Sequence, residues 1–188
     1  MNQTKRPVVA IIGDGDMPRN DQRYDMAYRL GDALMAAGYR IITGGRSGIM
    51  QGVSQGARES ASYKEGSIMA CLPSNNPLDA NPYADISIAT GLGIARNVVI
   101  AHADAVIAIG GGAGTLSEMA MAWSLKRLII AYRVDGWSGK LADQPIDHRQ
   151  RYANIPKDRV YGVEDAMQAI TALQTYLPLY TASGTGVE

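Results

Sequence analysis

A single cysteine, two histidines and no surplus of either charge set the first limits on this 188-residue chain. Cys71, inside the apolar stretch SIMACLP, cannot close an internal disulfide and lacks the partners of a cysteine metal site, so no metal is expected and a reducing compartment suits it. Such a thiol reads as a small buried apolar residue. Lys and Arg number 18, as do Asp and Glu. Bulk charge therefore draws the chain neither to nucleic acid nor to an anionic membrane surface, and selectivity must come from local charge. No segment approaches the length of a membrane span. The opening MNQTKRPVVAIIGDG lacks the long apolar region and small-residue cleavage site of a leader. A soluble, unprocessed, cytoplasmic protein is expected.

What is present is enough apolar material for one core: 46% of 188 residues fills one good-sized interior but hardly two. A single domain over residues 1–180 follows, with TASGTGVE (181–188) as a flexible tail that has nothing to bury. Short apolar runs alternate with amphipathic ones, separated by Gly, Pro or Asn. PVVAIIG (7–13) is too uniformly apolar for a half-exposed strand, so both its faces are covered. Residues 21–37 space Tyr24, Ala27, Tyr28, Leu30, Leu34 and Met35 as one helical stripe that stops at Gly38. YRIITGG, GSIMACLP, DISIAT, AVIAIGG and RLIIAY read as further strands, with a short one in RVYGV. GIMQGVSQGARES, IARNVVIAHADA, TLSEMAMAWSLK and EDAMQAITALQTYL read as helices. The expected fold is α/β, a doubly wound, mostly parallel, Rossmann-like sheet flanked by helices.

In such a sheet ligands bind beyond the carboxyl ends of the strands. Three glycine-rich stretches fall at that edge: GDGDMPRN (13–20), TGGRSGIMQG (43–52) and GGGAGTLSE (110–118). Glycines there let backbone N–H groups reach an anion, and the helix that follows adds its positive end. None is a Walker loop, and none carries the dinucleotide fingerprint with its ribose-binding acid, so neither an ordinary NTPase nor an NAD enzyme is expected. Thr115 and Glu118 also fit a capping box, which by itself would explain both residues. Two glycine-rich turns on neighbouring strand ends, however, imply a shared anion-binding surface.

The stretches GGRSGIMQGVSQGA (44–57), Arg96 in GIARNVVIAHADA, and GGGAGTLSE resemble the SLOG superfamily in order and approximate spacing, over nearly the whole chain. That superfamily includes the Lonely Guy phosphoribohydrolases, often mislabelled lysine decarboxylases, and the molybdenum cofactor carrier proteins. The hydrolases carry Pro-Gly-Gly-x-Gly-Thr-x-x-Glu and an upstream Arg-Lys pair, and cleave nucleoside monophosphates to base and ribose phosphate. Here Gly110 stands in place of the proline and Asn97 in place of the lysine, while Arg96 and Glu118 remain. The glycine and the wording IAIGGGAGTLSEMAMAW look more like the carrier branch, whose members hold the pterin cofactor through its phosphate.

The resemblance implies a binding or carrier protein for a phosphorylated heterocycle, molybdenum cofactor being the carried ligand. A Lonely Guy type phosphoribohydrolase is the alternative, with Arg96 and Glu118 then catalytic. Neither His102 nor His148 precedes a lysine as pyridoxal phosphate enzymes require. Gly111, Gly112, Gly114 and Thr115 would surround the phosphate, with Gly44, Gly45 and Ser47 approaching from the neighbouring loop. Arg46 would add a bidentate contact, or stand as a solvated loop side chain. Arg96 sits early in a helix, where the macrodipole disfavours a cation, and so invites an anion or a surface salt bridge. His102 reads as a packed or hydrogen-bonded residue, Asp104 as a turn cap, and SNNPLDANPYAD (74–85) as a loop that would set ligand selectivity. The apolar side chains of MAMAW read as core or subunit contact, and a homodimer or homotetramer is expected.

Overall fold

The computed structural model describes residues 5–182. Its first strand, β1 (Val8–Gly13), leads into α1 (Gln22–Ala36), which starts on Asp21 as an N-cap whose carboxylate accepts the Arg23 amide. Gly38, at φ 82°, follows its end, in the left-handed turn the sequence implied. Then come β2 (Arg40–Thr43), α2 (Ile49–Glu59), β3 (Ile68–Leu72) and β4 (Ile86–Ala89). A 3-10 turn over Gly93–Arg96 runs straight into α3 (Asn97–Ala101). The second half holds β5 (Ala105–Ile109), α4 (Ala113–Ser124), β6 (Leu128–Tyr132), α5 (Trp137–Leu141), β7 (Tyr161–Val163) and α6 (Ala166–Ala182).

The seven strands form one sheet in the order β4-β3-β2-β1-β5-β6-β7, and every pairing is parallel. The α/β, Rossmann-like architecture is as expected, and its parallelism is complete. Alternation inside the central strands shows why both faces must be covered. Val9 and Ile11 of β1, Ile107 and Ile109 of β5, and Leu128 and Ile130 of β6 point into one core with α1, α2 and α6. Ala10, Ile12, Val106, Ala108, Ile129 and Ala131 point into the other, against Ile100 of α3 and Met119 and Trp123 of α4. Met119 and Trp123 therefore belong to the core of the monomer and not to a subunit contact.

α6 runs through Pro178 to Ala182, so residues 181 and 182, read as the start of a tail, are helical. Tyr180 anchors this last turn, buried beside Tyr152 and donating its hydroxyl to Asp158. Residues 183–188 lie outside the described residues. Among the described residues no helix is long and apolar enough to cross a membrane.

β1 has β2 on one side and β5 on the other, so chain order reverses at its carboxyl end. A crevice opens at such a reversal, because the two crossovers leave in opposite directions.

Candidate functional site

The loops after β1, β2 and β5 meet at this reversal and enclose a cleft of about 630 Å³. Asp14 knits them together. Its carbonyl accepts the Ile49 amide at the start of α2 (2.9 Å), and its carboxylate accepts the Gly111 amide ahead of α4 (3.0 Å). The same carboxylate pairs with Arg23 of α1 at 2.5 Å. Gly48, which opens α2, has φ 65°, and a Cβ there would stand 2.2 Å from the Asp14 carbonyl oxygen. Only glycine permits that approach. Ser47 closes the same junction by donating its hydroxyl to the Gly15 carbonyl.

The loop after β5 turns through positive φ at Gly110 (64°) and Gly111 (96°). Gly112 is the N-cap of α4 with φ −97°, so the left-handed conformation belongs to its two predecessors. Helix α4 begins at Ala113, two residues earlier than the expected start at Thr115. Its amides from Gly112 to Thr115 have no hydrogen-bond partner among the described residues, the first intrahelical bond being Leu116 N–H to Gly112 O. Nothing stands within 4 Å of where a Cβ on Gly112 or Gly114 would be, so this stretch lies open to the cleft.

The capping box does not form. Thr115 is the third residue of α4 and caps nothing, and Glu118 turns instead toward Arg96. The Arg96 Nη1 to Glu118 Oε1 distance is 3.4 Å, with both side chains largely withdrawn from water. Burial pushes the Glu118 carboxyl up to about 7, and the attraction of Arg96, the opposing influence, does not cancel it. Arg96 Nε is buried without a partner among the described residues. Gly44 makes room for this guanidinium, since a Cβ there would come within 2.7 Å of Arg96 Nη2. Beside the pair, Asn97 donates to Ser117 Oγ at 2.9 Å and so ties α3 to α4. Cys71 is fully buried, as the sequence suggested.

Of the residues singled out in the sequence, Gly44, Arg46, Ser47, Arg96, Gly112, Gly114, Thr115 and Glu118 all line this one cleft. Gly45 and Gly111 stand behind it with their amides already bonded, to Thr43 Oγ1 and to Asp14 respectively. Sequence reasoning missed the roles of Asp14 and Asp16, which line the cleft from GDGDMPRN, and of Met50, Pro73 and Ile94, which give it an apolar side. The glycine spacing of GDGDMPRN was a usable signal; the apolar lining left none. No residue of 74–85 lines the cleft. Asn81 from that loop instead braces the carbonyls of Gly45 and Arg46. His102 is exposed, with Nδ1 2.7 Å from the Val98 carbonyl, and Asp104 caps β1 by accepting the Val8 amide at 2.8 Å.

Fold and cleft define a doubly wound α/β protein with a polar crevice at its topological switch point. The chain belongs to the SLOG cluster4 family, whose model matches residues 6–163. It is 42% identical over 115 residues to an uncharacterized protein of Archaeoglobus fulgidus, a match covering 61% of this chain and 72% of that one. Among solved structures it is similar to the molybdenum cofactor binding protein of Rippkaea orientalis: TM-score 0.74, 30% identity, covering 91% of this chain and 97% of that one. It is also similar to the molybdenum cofactor carrier protein of Chlamydomonas reinhardtii: TM-score 0.72, 26% identity, covering 92% and 99%.

Proposed function

We propose that this chain binds and carries a phosphorylated heterocycle, with a pterin phosphate of the molybdenum cofactor type as its ligand. The supporting observation is the run of unclaimed amides from Gly112 to Thr115 beside the buried, partly unsatisfied Arg96. A helix N-terminus with free amides attracts an oxyanion, and a sheltered guanidinium adds a charge-assisted bond. Arg46 closes over the ligand from the lip, while Met50, Pro73 and Ile94 offer an apolar surface on which a flat ring can lie. The names of the Rippkaea and Chlamydomonas proteins point to the same ligand class. The balanced charge of the chain favours a small molecule over nucleic acid.

The Arg96–Glu118 pair favours a second reading, phosphoribohydrolase activity. Breaking the bond between base and ribose builds positive charge on the sugar, which an ionised Glu118 would stabilise while Arg96 held the phosphate. A carboxyl that sits near pH 7 is protonated for much of the time at neutrality and is then a hydrogen-bond donor. A carboxyl so placed can hydrogen-bond a ligand or serve as a general acid toward a departing base, so activity on AMP is what separates the two readings.

One experiment separates the readings. Purified protein is incubated with AMP, and the small molecules released from it on denaturation are identified by mass spectrometry. The expected outcome is a phosphorylated pterin among the released molecules and no free base from AMP, with Glu118→Gln still binding ligand. Arg96→Ala should lose about 1.5–3 kcal/mol of phosphate-ester affinity under either reading. Robust base release that Glu118→Gln abolishes, while Arg96→Ala only weakens binding, would establish the hydrolase.

A further inference from the structure

We infer that Asp14 restricts the ligand to a single phosphate group, by filling with its own carboxylate the backbone position that a second phosphate would use. This rests on the reading of the cleft as a phosphate site, and it adds which phosphorylated ligands are admitted.

Gly111 to Thr115 could present five successive N–H groups to an anion, but the first is bonded to Asp14 Oδ2 at 3.0 Å. The four that remain are enough for the oxygens of one phosphate. A second phosphate would have to extend either along this loop toward Gly111 or across to the start of α2. Asp14 meets it on both routes. Its carboxylate holds Gly111 and its carbonyl holds the Ile49 amide, so it occupies the ground between the two helix starts.

Charge reinforces the obstruction. Asp16 lines the cleft beside Asp14, and Asp21 shares with Asp14 the cation of Arg23, at 2.8 Å and 2.5 Å respectively. The two carboxylates that Arg23 contacts therefore exceed the charge it supplies, and Asp16 adds to the excess. Arg46 and Arg96, the cations that line the cleft, come from the other loops. The cleft thus runs from the side of Arg46 and Arg96, whose charge the buried Glu118 carboxyl offsets only in part, to the anionic side of Asp14 and Asp16, where a second phosphate would face like charge. Discrimination of this kind comes from repulsion built against the wrong ligand.

The test is calorimetric titration of the whole protein with inorganic phosphate and with pyrophosphate, without and with Mg²⁺. Wild type should bind phosphate about tenfold more tightly than pyrophosphate, although pyrophosphate carries the larger charge. In Asp14→Asn, which keeps an acceptor for the Gly111 amide, the ratio should move about tenfold toward pyrophosphate. Asp16→Asn, at the exposed lip, gives the same direction with a shift of about two- to threefold, and serves if Asp14→Asn does not fold. Pyrophosphate binding as tightly as phosphate to wild type, with or without Mg²⁺, would overturn the inference and leave the phosphate site standing. So would an unmoved ratio in folded Asp14→Asn. Binding of neither anion to folded wild type would overturn the phosphate-site reading, and this inference with it.

Discussion

Burial holds the Glu118 carboxyl near pH 7 even with Arg96 at 3.4 Å, because the guanidinium faces it at the far limit of a useful contact while water is excluded from both. The ordinary value for this group is 4.5, so folding favours its protonated form. The stability tied to that proton is complete below about pH 4.5 and is lost as pH rises through about 7. Replacing the carboxyl by an amide removes this dependence. Glu118→Gln should therefore gain about 2–4 kcal/mol on wild type between pH 4.5 and pH 8. Urea midpoints of the two proteins at both pH values measure the difference, and parallel pH profiles would contradict it. At this scale the sequence was only half legible. Thr115 and Glu118 have the spacing of a capping box, but that spacing carries no information on where the helix begins. With the N-cap at Gly112, both residues lie inside α4 and are free to face the cleft.

Helices and strands were easier to read, because the apolar period is set by burial and burial is what the sheet enforces. β1, β5 and β6 stand where continuous apolar runs implied, and α1 ends one residue after its stripe stops, beside Gly38. The misplacements have local causes. α5 is only five residues long, too short for a period to show. IARNVVIAHADA, read as one helix, divides into a 3-10 turn and the short α3. α6 passes Pro178 because Tyr180 is buried beyond it. The first turn of α4 offers a test of what its glycines are for. Gly114 is helical, has no positive φ and has open space where a Cβ would go, so nothing in the fold requires it. Gly114→Ala should raise stability by about 0.5–1 kcal/mol, since alanine is the better helix former. The same methyl would obstruct an oxyanion approaching the amides, so phosphate affinity should fall. Thermal melts with phosphate titrations check both signs together; a variant that gains stability and keeps its affinity would remove Gly114 from the proposed phosphate site.

For the whole molecule, the glycine loops at the carboxyl edge were legible because α/β topology dictates where such loops gather. The bonds of Asp14 were not, since they join residues 9 and 97 positions apart that no local pattern connects. Met119 and Trp123 are spent on the core, but Leu92, Val98 and Val99 are exposed along one short stretch of chain. A homodimer or homotetramer that covers them is expected. Light scattering at micromolar concentration should show it, with Val98→Asp combined with Val99→Asp reduced to monomer; a monomeric wild type would contradict this. The central place of β1 has another consequence, in time. Val8 and Asp104 close that strand against β5 across 96 positions of chain. A chain made from its N-terminus therefore carries the wholly apolar Val9–Ile12 with one edge bare until more than half of its length has been added. Gly111 and Glu118 come later still, so the cleft is incomplete until well past the middle of the chain, and a growing chain passes more than half of its synthesis without it, while β6, β7 and α6 are yet to be added.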